Sequence, residues 1–388
     1  MAKKNIIDLN KIRNKKFVKK LFVILRIPIV ILVVAAALFL SARLLGNVAV
    51  SNATDTLRLA GEMFKKGNGY PYSTDFSKFR KAAAVGSSPL ILYDDSCIVL
   101  GSAAKEIFSM PLGYADSKVI TVNGRALIYG NSSNDVILQS KTEKLGEINE
   151  EGAVVAAALS KNGYIALSHA SEENQSELTV YNNHFEKVFQ WNCSQERISD
   201  ISLASNGKKL AVAAVGVQNA EIYTRVLVFD IKSAEPIVDT RYSGTLFLRI
   251  IYTSSNKVIA AGDNRTVVMT NKGEVVDELV YSENSVSAIC SDDNGNTVVF
   301  YEEFGGMKTG MVRFSSSGKK TCTLTLDETP DCAAAYGGKI AVASGNKIAV
   351  YSSSGKLGRT IETENSIWQI FCCSGEIYTV ESNEIHKY

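Results

Sequence analysis

Residues 160–170 read SKNGYIALSHA, residues 204–214 read ASNGKKLAVAA, and residues 253–263 read TSSNKVIAAGD. Each is a polar turn followed by a short apolar strand. Gly or Asn at the fourth place supplies the positive φ that a tight reversal needs. Three more copies follow: SDDNGNTVVFY at 291–301, YGGKIAVASGN at 336–346 and CSGEIYTVESN at 373–383. A further strand comes after several of them: LTVYNN at 178–183, VLVFDI at 226–231, TVVMTN at 266–271, MVRFSS at 311–316 and IAVYSS at 348–353. With Gly163, Gly207, Asn256, Gly295, Gly338 and Gly375 as markers, the spacings are 44, 49, 39, 43 and 37 residues. A period near forty with four short strands per unit predicts a β-propeller, because one such unit cannot bury its own faces and needs a neighbour on each side. Two stacked sandwiches would not carry that repeat to the last residue.

The last unit, from Ile367, has only three strands: IWQIFCC, EIYTVES and EIHKY. Residues 70–76, YPYSTDF, are placed to supply the fourth strand from the other end of the chain and so close the ring. Two weaker units, one around LILYDDS and CIVLGSA and one over 116–150, complete an all-β propeller of eight blades, with seven as the alternative.

Composition agrees. The 388 residues are 46% hydrophobic and 21% charged, with 28 Gly and only 6 Pro, which excludes a disordered chain and favours strands. The net charge of +2 hides an asymmetry: residues 1–20 carry +7, and the remainder carries −5. Residues 21–45, LFVILRIPIVILVVAAALFLSARLL, contain an uncharged run from Ile27 to Ala42. Sixteen helical residues span ~24 Å, slightly less than a ~30 Å hydrocarbon core. The flanks from Leu21 extend the run, and Arg26 and Arg43 can snorkel to the two interfaces. The reading is a transmembrane anchor.

Lys15, Lys16, Lys19 and Lys20 ahead of the run keep the N-terminus in the cytoplasm, so the propeller is expected outside the cell membrane. Reversal would move the basic tail against the potential at ~2.3 kcal/mol per charge per 100 mV. Cleavage near Ser51-Asn52-Ala53, or a buried core helix in place of an anchor, are the alternatives. Anionic lipid headgroups account for the basic tail, so nucleic acid is not an expected partner. The organisation expected is a basic tail over 1–20, a transmembrane helix over 21–45, a stalk over 46–69 and a propeller over 70–388. In the stalk, Thr54 or Asp55 would cap a short amphipathic helix running to Lys66 and ended by Gly67.

These features resemble WD-repeat-like and quinoprotein-like propellers. More closely, the basic tail, anchor, stalk, YPYSTDF, and strands such as those in 176–192 and 208–231 resemble a family of single-pass propeller proteins of Gram-positive anaerobes. That resemblance implies fold and topology and no chemistry. The Trp-Asp dipeptide is absent, with Val228-Phe229-Asp230 as its nearest echo. The tryptophans, Trp191 and Trp368, are too few for the quinoprotein docking signature.

Motifs for chemistry are sparse. Seven cysteines (Cys97, Cys193, Cys290, Cys322, Cys332, Cys372 and Cys373) show no CxxC spacing and read as reduced core thiols, with a Cys372–Cys373 vicinal disulfide as the alternative. Asp292-Asp293-Asn294-Gly295-Asn296 breaks the EF-hand order and sits where the other repeats turn. His169 and His184 read as surface groups bracketing one blade. The pairs Glu150-Glu151, Glu172-Glu173 and Glu302-Glu303 read as solvated loop charge. No catalytic, cofactor or metal site is assigned. The expected role is a scaffold or sensor for a protein or an envelope polymer. The alternative is an envelope enzyme: a glycan lyase, a hydrolase or a quinone-dependent dehydrogenase.

Overall fold

The computed structural model describes Val33, Ala36, Thr54, Asp55, Arg58 and residues 67–388, apart from 115, 131, 132, 172 and 283–285. The chain divides into two compact units, Met1–Ala53 and Thr54–Tyr388. In the first, Val33 and Ala36 are helical and exposed. The anchor residues Leu21, Arg26, Ile27, Ala42 and Arg43, and the topology residues Lys15, Lys16, Lys19 and Lys20, lie outside the described residues. No helix among the described residues is long and apolar enough to cross a membrane.

The second unit is an eight-bladed propeller. Its strands form eight four-stranded antiparallel sheets. Blades 1 to 7 cover residues 79–111, 117–149, 154–193, 197–243, 247–280, 286–326 and 332–362. Blade 8 takes Ile367–Cys373, Glu376–Glu381 and Glu384–Lys387, and its outermost strand is Tyr72–Ser73. Tyr72 pairs with Ile385 and Ser73 with Glu384, and Thr74 N donates to Asn383 O at 2.8 Å. The ring therefore closes by the exchange expected from YPYSTDF, and the two degenerate N-terminal units are true blades.

Eight hydrophobic clusters hold the ring, one at each seam between neighbouring blades. Alternation dictates this arrangement. Successive side chains on a strand point to opposite faces of its sheet, and both faces of each blade meet a neighbour. Inner strands thus read as nearly continuous small or branched apolar runs, such as VVAAAL at Val154–Leu159. At the seam of blades 3 and 4, Phe229 is fully buried, with Phe189 at 5.6 Å and Trp191 at 5.0 Å between ring centroids. At the closing seam, Tyr70 packs edge-on against Tyr378 at 5.2 Å, and Phe76 meets Trp368 at 5.1 Å.

Because the strands are antiparallel, each blade sends its first turn and its last hairpin to one side of the ring. Its middle hairpin and the link to the next blade go to the other. These sides are called here the turn face and the link face. The marker residues all fall on the turn face. Gly163, Gly207, Asn256, Gly295, Gly338 and Gly375 have φ between 56° and 86°, joined by Gly86 and Gly124 of the first two blades. At Gly207 a Cβ would also come within 2.3 Å of the Tyr164 ring.

Candidate functional site

The inner strands of six blades carry a β-bulge near their start, at Arg80, Val155, Ser199, Leu248, Ser287 and Trp368. A bulge re-aims the side chains around it. Here it turns the extra residue outward on the link face. Val155, Leu248 and Trp368 are left exposed, the last by 65%, and Arg80 pairs with Asp94.

The residue after each bulge begins the channel wall. Counted from the turn, Lys81, Asp200, Arg249 and Gln369 occupy equivalent places in blades 1, 4, 5 and 8. All four line a cavity of about 690 Å³ running through the ring. Gln369 spans the seam between blades 8 and 1. Its Oε1 accepts from Ala82 N at 3.0 Å, and its Nε2 donates to Ala82 O. Diametrically opposite, Asp200 Oδ2 accepts from Ile250 N at 2.7 Å across the seam between blades 4 and 5, and Ser202 Oγ accepts from Tyr252 N at 2.8 Å. Asp200 Oδ1 lies 3.6 Å from Arg249. Burial raises the Asp200 pKa, opposed by Arg249 and by the backbone amides it accepts from. Enclosure by the channel lowers the Lys81 pKa, and the Arg249 charge lowers it further.

At the turn face the channel ends under the turn of blade 6. Asp292 Oδ1 accepts from the backbone N of Asn294 and Asn296 at 2.9 and 3.0 Å, so DDNGN is a reversal and holds its own oxygens inward. From blade 3, Lys161 Nζ crosses to Asn294 Oδ1 at 2.8 Å, and Asn123 of blade 2 donates to Lys161 O at 3.1 Å. A shallower cavity of about 490 Å³ opens beside this bridge, lined by Gly86, Gly124, Gly337, Gly338 and Gly375 and walled by Asp292–Asn294.

The cysteines are all free. Cys290, Cys332 and Cys372 line the channel, and Cys97, Cys193, Cys322 and Cys373 are buried in the seams. Burial pushes Cys290 and Cys373 up to about 12 and Cys332 to about 11, far from the thiolate range that metal binding or attack requires. Among the described residues no group of three or more His, Cys, Asp or Glu is placed to hold a metal ion.

Two expectations need correction. His169 is 3% exposed, not a surface group, and its Nε2 lies 3.5 Å from Glu150, which is 4% exposed rather than solvated. The pair is sealed between blades 2 and 3, where the link carrying Glu150 folds over the end of the strand Ile165–His169. Sequence reading missed it because the partners are brought together only by ring assembly. His184 is exposed, as expected.

Thr54 and Asp55 are also helical rather than capping residues. The Asp55 carboxylate, 3% exposed, instead reaches the last hairpin of blade 2. It accepts from Ser140 Oγ at 2.8 Å, Thr142 Oγ1 at 2.6 Å and Lys141 N at 3.3 Å. Arg58 pairs with Glu143 at 2.9 Å and donates to Thr142 O at 3.2 Å. The stalk residues that are described thus sit on the turn face.

Residues 64–388 match a family of unknown function, DUF5711. The chain belongs to that family. No curated protein matches its sequence. Among solved structures it is similar to Sqt1 of Saccharomyces cerevisiae at 8% identity and TM-score 0.58, over 83% of this chain and 99% of that one. It is similar to the C-terminal WD40 domain of Sif2 at 14% identity and TM-score 0.57, over 84% and 98%. BamB of Moraxella catarrhalis follows at 10% and 0.51, over 82% and 99%. At these identities the likeness is one of fold.

Proposed function

We propose that this chain is a membrane-anchored, extracytoplasmic scaffold whose link face binds a partner protein. The observation that carries the reading is the middle hairpin of blade 4. Its strands, Lys209–Gln218 and Glu221–Asp230, are ten residues each, where the corresponding strands of the other blades have four to seven. The hairpin therefore extends past the ring on the link face, with Val217 68% and Ile222 47% exposed. Arg241 stacks 3.6 Å over Tyr223 and braces its base. Exposed Trp368, Leu248, Val155 and Met307 share that face. Apolar and aromatic groups set among polar ones are the composition of an interface core.

The contacts of the described stalk residues Asp55 and Arg58 lie on the opposite face. The basic tail and the apolar run of 27–42 support the anchor and its orientation. The test is crosslinking in intact cells followed by mass spectrometry, comparing the native chain with Val217→Lys/Ile222→Lys. A reproducible protein partner lost in the variant is expected. A glycan adduct instead of a protein, or a partner set unchanged by the variant, overturns the reading. Protease added to protoplasts should cut the propeller and spare the tail; protection of the propeller until lysis would overturn the topology.

A further inference from the structure

Blades 1 and 5 stand four places apart in a ring of eight, so Lys81 and Arg249 oppose each other across the channel at one level. Each follows a seam stitched by the preceding blade, through Gln369 on one side and Asp200 on the other. The symmetry fails in charge: Arg249 has an acid neighbour, whereas Lys81 has a neutral amide in the equivalent place. Lys81 has no hydrogen-bond or ion-pair partner among the described residues. One Asp200 oxygen is already taken by Ile250 N, and Arg249 keeps more than half of its side chain exposed. Among the residues that line the cavity, the level therefore holds two cations and one partly committed anion.

The wall beyond it alternates apolar side chains such as Ala83, Ile120, Ala157 and Ile370 with the polar Thr121 and Ser202. Like charges held together within low-dielectric walls attract a counter-charge. The cavity of about 690 Å³ falls within the usual size of small-molecule sites.

We propose that the channel binds a small organic anion, with its phosphate or carboxylate held between Lys81 and Arg249 and its apolar body against the alanine and isoleucine wall. Arg249 offers a planar fork of donors and Lys81 a mobile point charge, a pairing suited to either oxyanion. The opposite end of the channel, with Asp292 and Asp293, repels a second anionic group and gives the ligand a direction. Lys118, at the equivalent level of blade 2, lies over the Tyr129 ring at 5.9 Å and stands aside. This site does not depend on the scaffold reading, because its ligand enters the ring rather than covering the link face.

The experiment uses the full-length chain in a neutral detergent, titrated calorimetrically with 1-naphthyl phosphate and with 1-naphthylmethylammonium as the charge-reversed control. Saturable binding of the phosphate with a Kd below about 1 mM is expected, with none of the ammonium. Lys81→Gln and Arg249→Gln should each weaken it roughly tenfold, the loss of one charged hydrogen bond. Lys81→Glu should abolish it and admit the ammonium. Since Lys81 supports no bond of the fold, Lys81→Gln should melt at the native temperature. Absence of saturable phosphate binding, or binding that Lys81→Gln and Lys81→Glu leave unchanged, overturns the proposal.

Discussion

Blades 3 to 6 turn differently from blades 7, 8, 1 and 2. In the second group the inner strand reverses through two residues: Gly337-Gly338, Ser374-Gly375, Gly86-Ser87 and Asn123-Gly124. Three of these pairs have positive φ at both positions, the twist-matched hairpin turn. In the first group the reversal takes three or four residues, and at blades 3, 5 and 6 a side-chain oxygen inside it accepts a backbone N–H. Ser160 accepts from Tyr164 N, Thr253 from Lys257 N, and Asp292 from Asn296 N.

The longer turns reach sideways. Lys161 touches Asn294, and Asn294 O accepts from Ser254 N. Of the shorter ones, those of blades 7 and 8 touch little, since a Cβ on Gly337, Gly338 or Gly375 would meet nothing within 4 Å, whereas Asn123 reaches Lys161 O and Ser87 accepts from Lys141. One half of the turn face is thus tied together, and the other half is a glycine-lined recess. What distinguishes them is only one or two residues per turn.

Three experiments probe that division. The largest effect is expected in the tied half, at the seam beneath the turns: Phe229→Ala removes a fully buried ring and should cost about 3–5 kcal/mol in chemical denaturation. If the loss is no larger than for an exposed aromatic such as Trp368→Ala, the seams do not carry the stability.

Next come paired glycine substitutions. Gly207 and Gly338 share a φ near 73° (72° and 75°), but only Gly207 has a neighbouring ring against it. Gly338→Ala should cost about 1 kcal/mol from backbone strain alone, and Gly207→Ala at least about twice that. Equal melting shifts would mean that the surroundings of the turn are irrelevant.

The smallest effect concerns the bridge and its charge. Lys161→Met removes a surface hydrogen bond and should change stability by less than about 1 kcal/mol. It also removes the cation that holds the Asp293 carboxyl down against burial, whose effect, larger still, is to raise it. An acid with a raised folded pKa binds its proton more tightly when folded, so stability falls as pH rises through that value. The variant should steepen this decline just above the ordinary carboxylate range. A pH–stability profile superimposable on that of the native chain would show that the bridge is ornamental.

Which parts were legible follows from range. The turns are local: a Gly or Asn with positive φ sits at a fixed offset from an apolar strand, so blades 3 to 8 stand out. Blades 1 and 2 are fainter, although Asn123-Gly124 is a hairpin pair as local as Gly337-Gly338. Closure by Tyr72–Ser73 was readable as a missing strand at one end and a spare one at the other. The channel level was overlooked, although it left a trace. FRKAAAV, RISDISL, FLRIIY and IWQIFCC carry Lys81, Asp200, Arg249 and Gln369, a charged or amide side chain inside each inner strand. The sealed His169–Glu150 pair left none, since nothing in either segment announces the other. The attachment of Asp55 to Ser140 and Thr142, 85 and 87 residues away, is equally silent.

The pairing of Tyr72 with Ile385 joins positions 313 residues apart. A ribosome can have built seven blades while the strand Tyr72–Ser73 has no partner and the first blade has no neighbour on one side. During that interval the side of blade 1 that Val380 and Ile385, both fully buried in the finished ring, will cover stays open. Bringing such distant segments together carries the highest loop-closure entropy in the chain, and an unpaired strand edge is a template for the wrong partner. A chain truncated before the strand Glu384–Lys387 could not complete that join at all. The seam acts as an inspection of length, passed only by a polypeptide that carries both Tyr72–Ser73 and Glu384–Lys387.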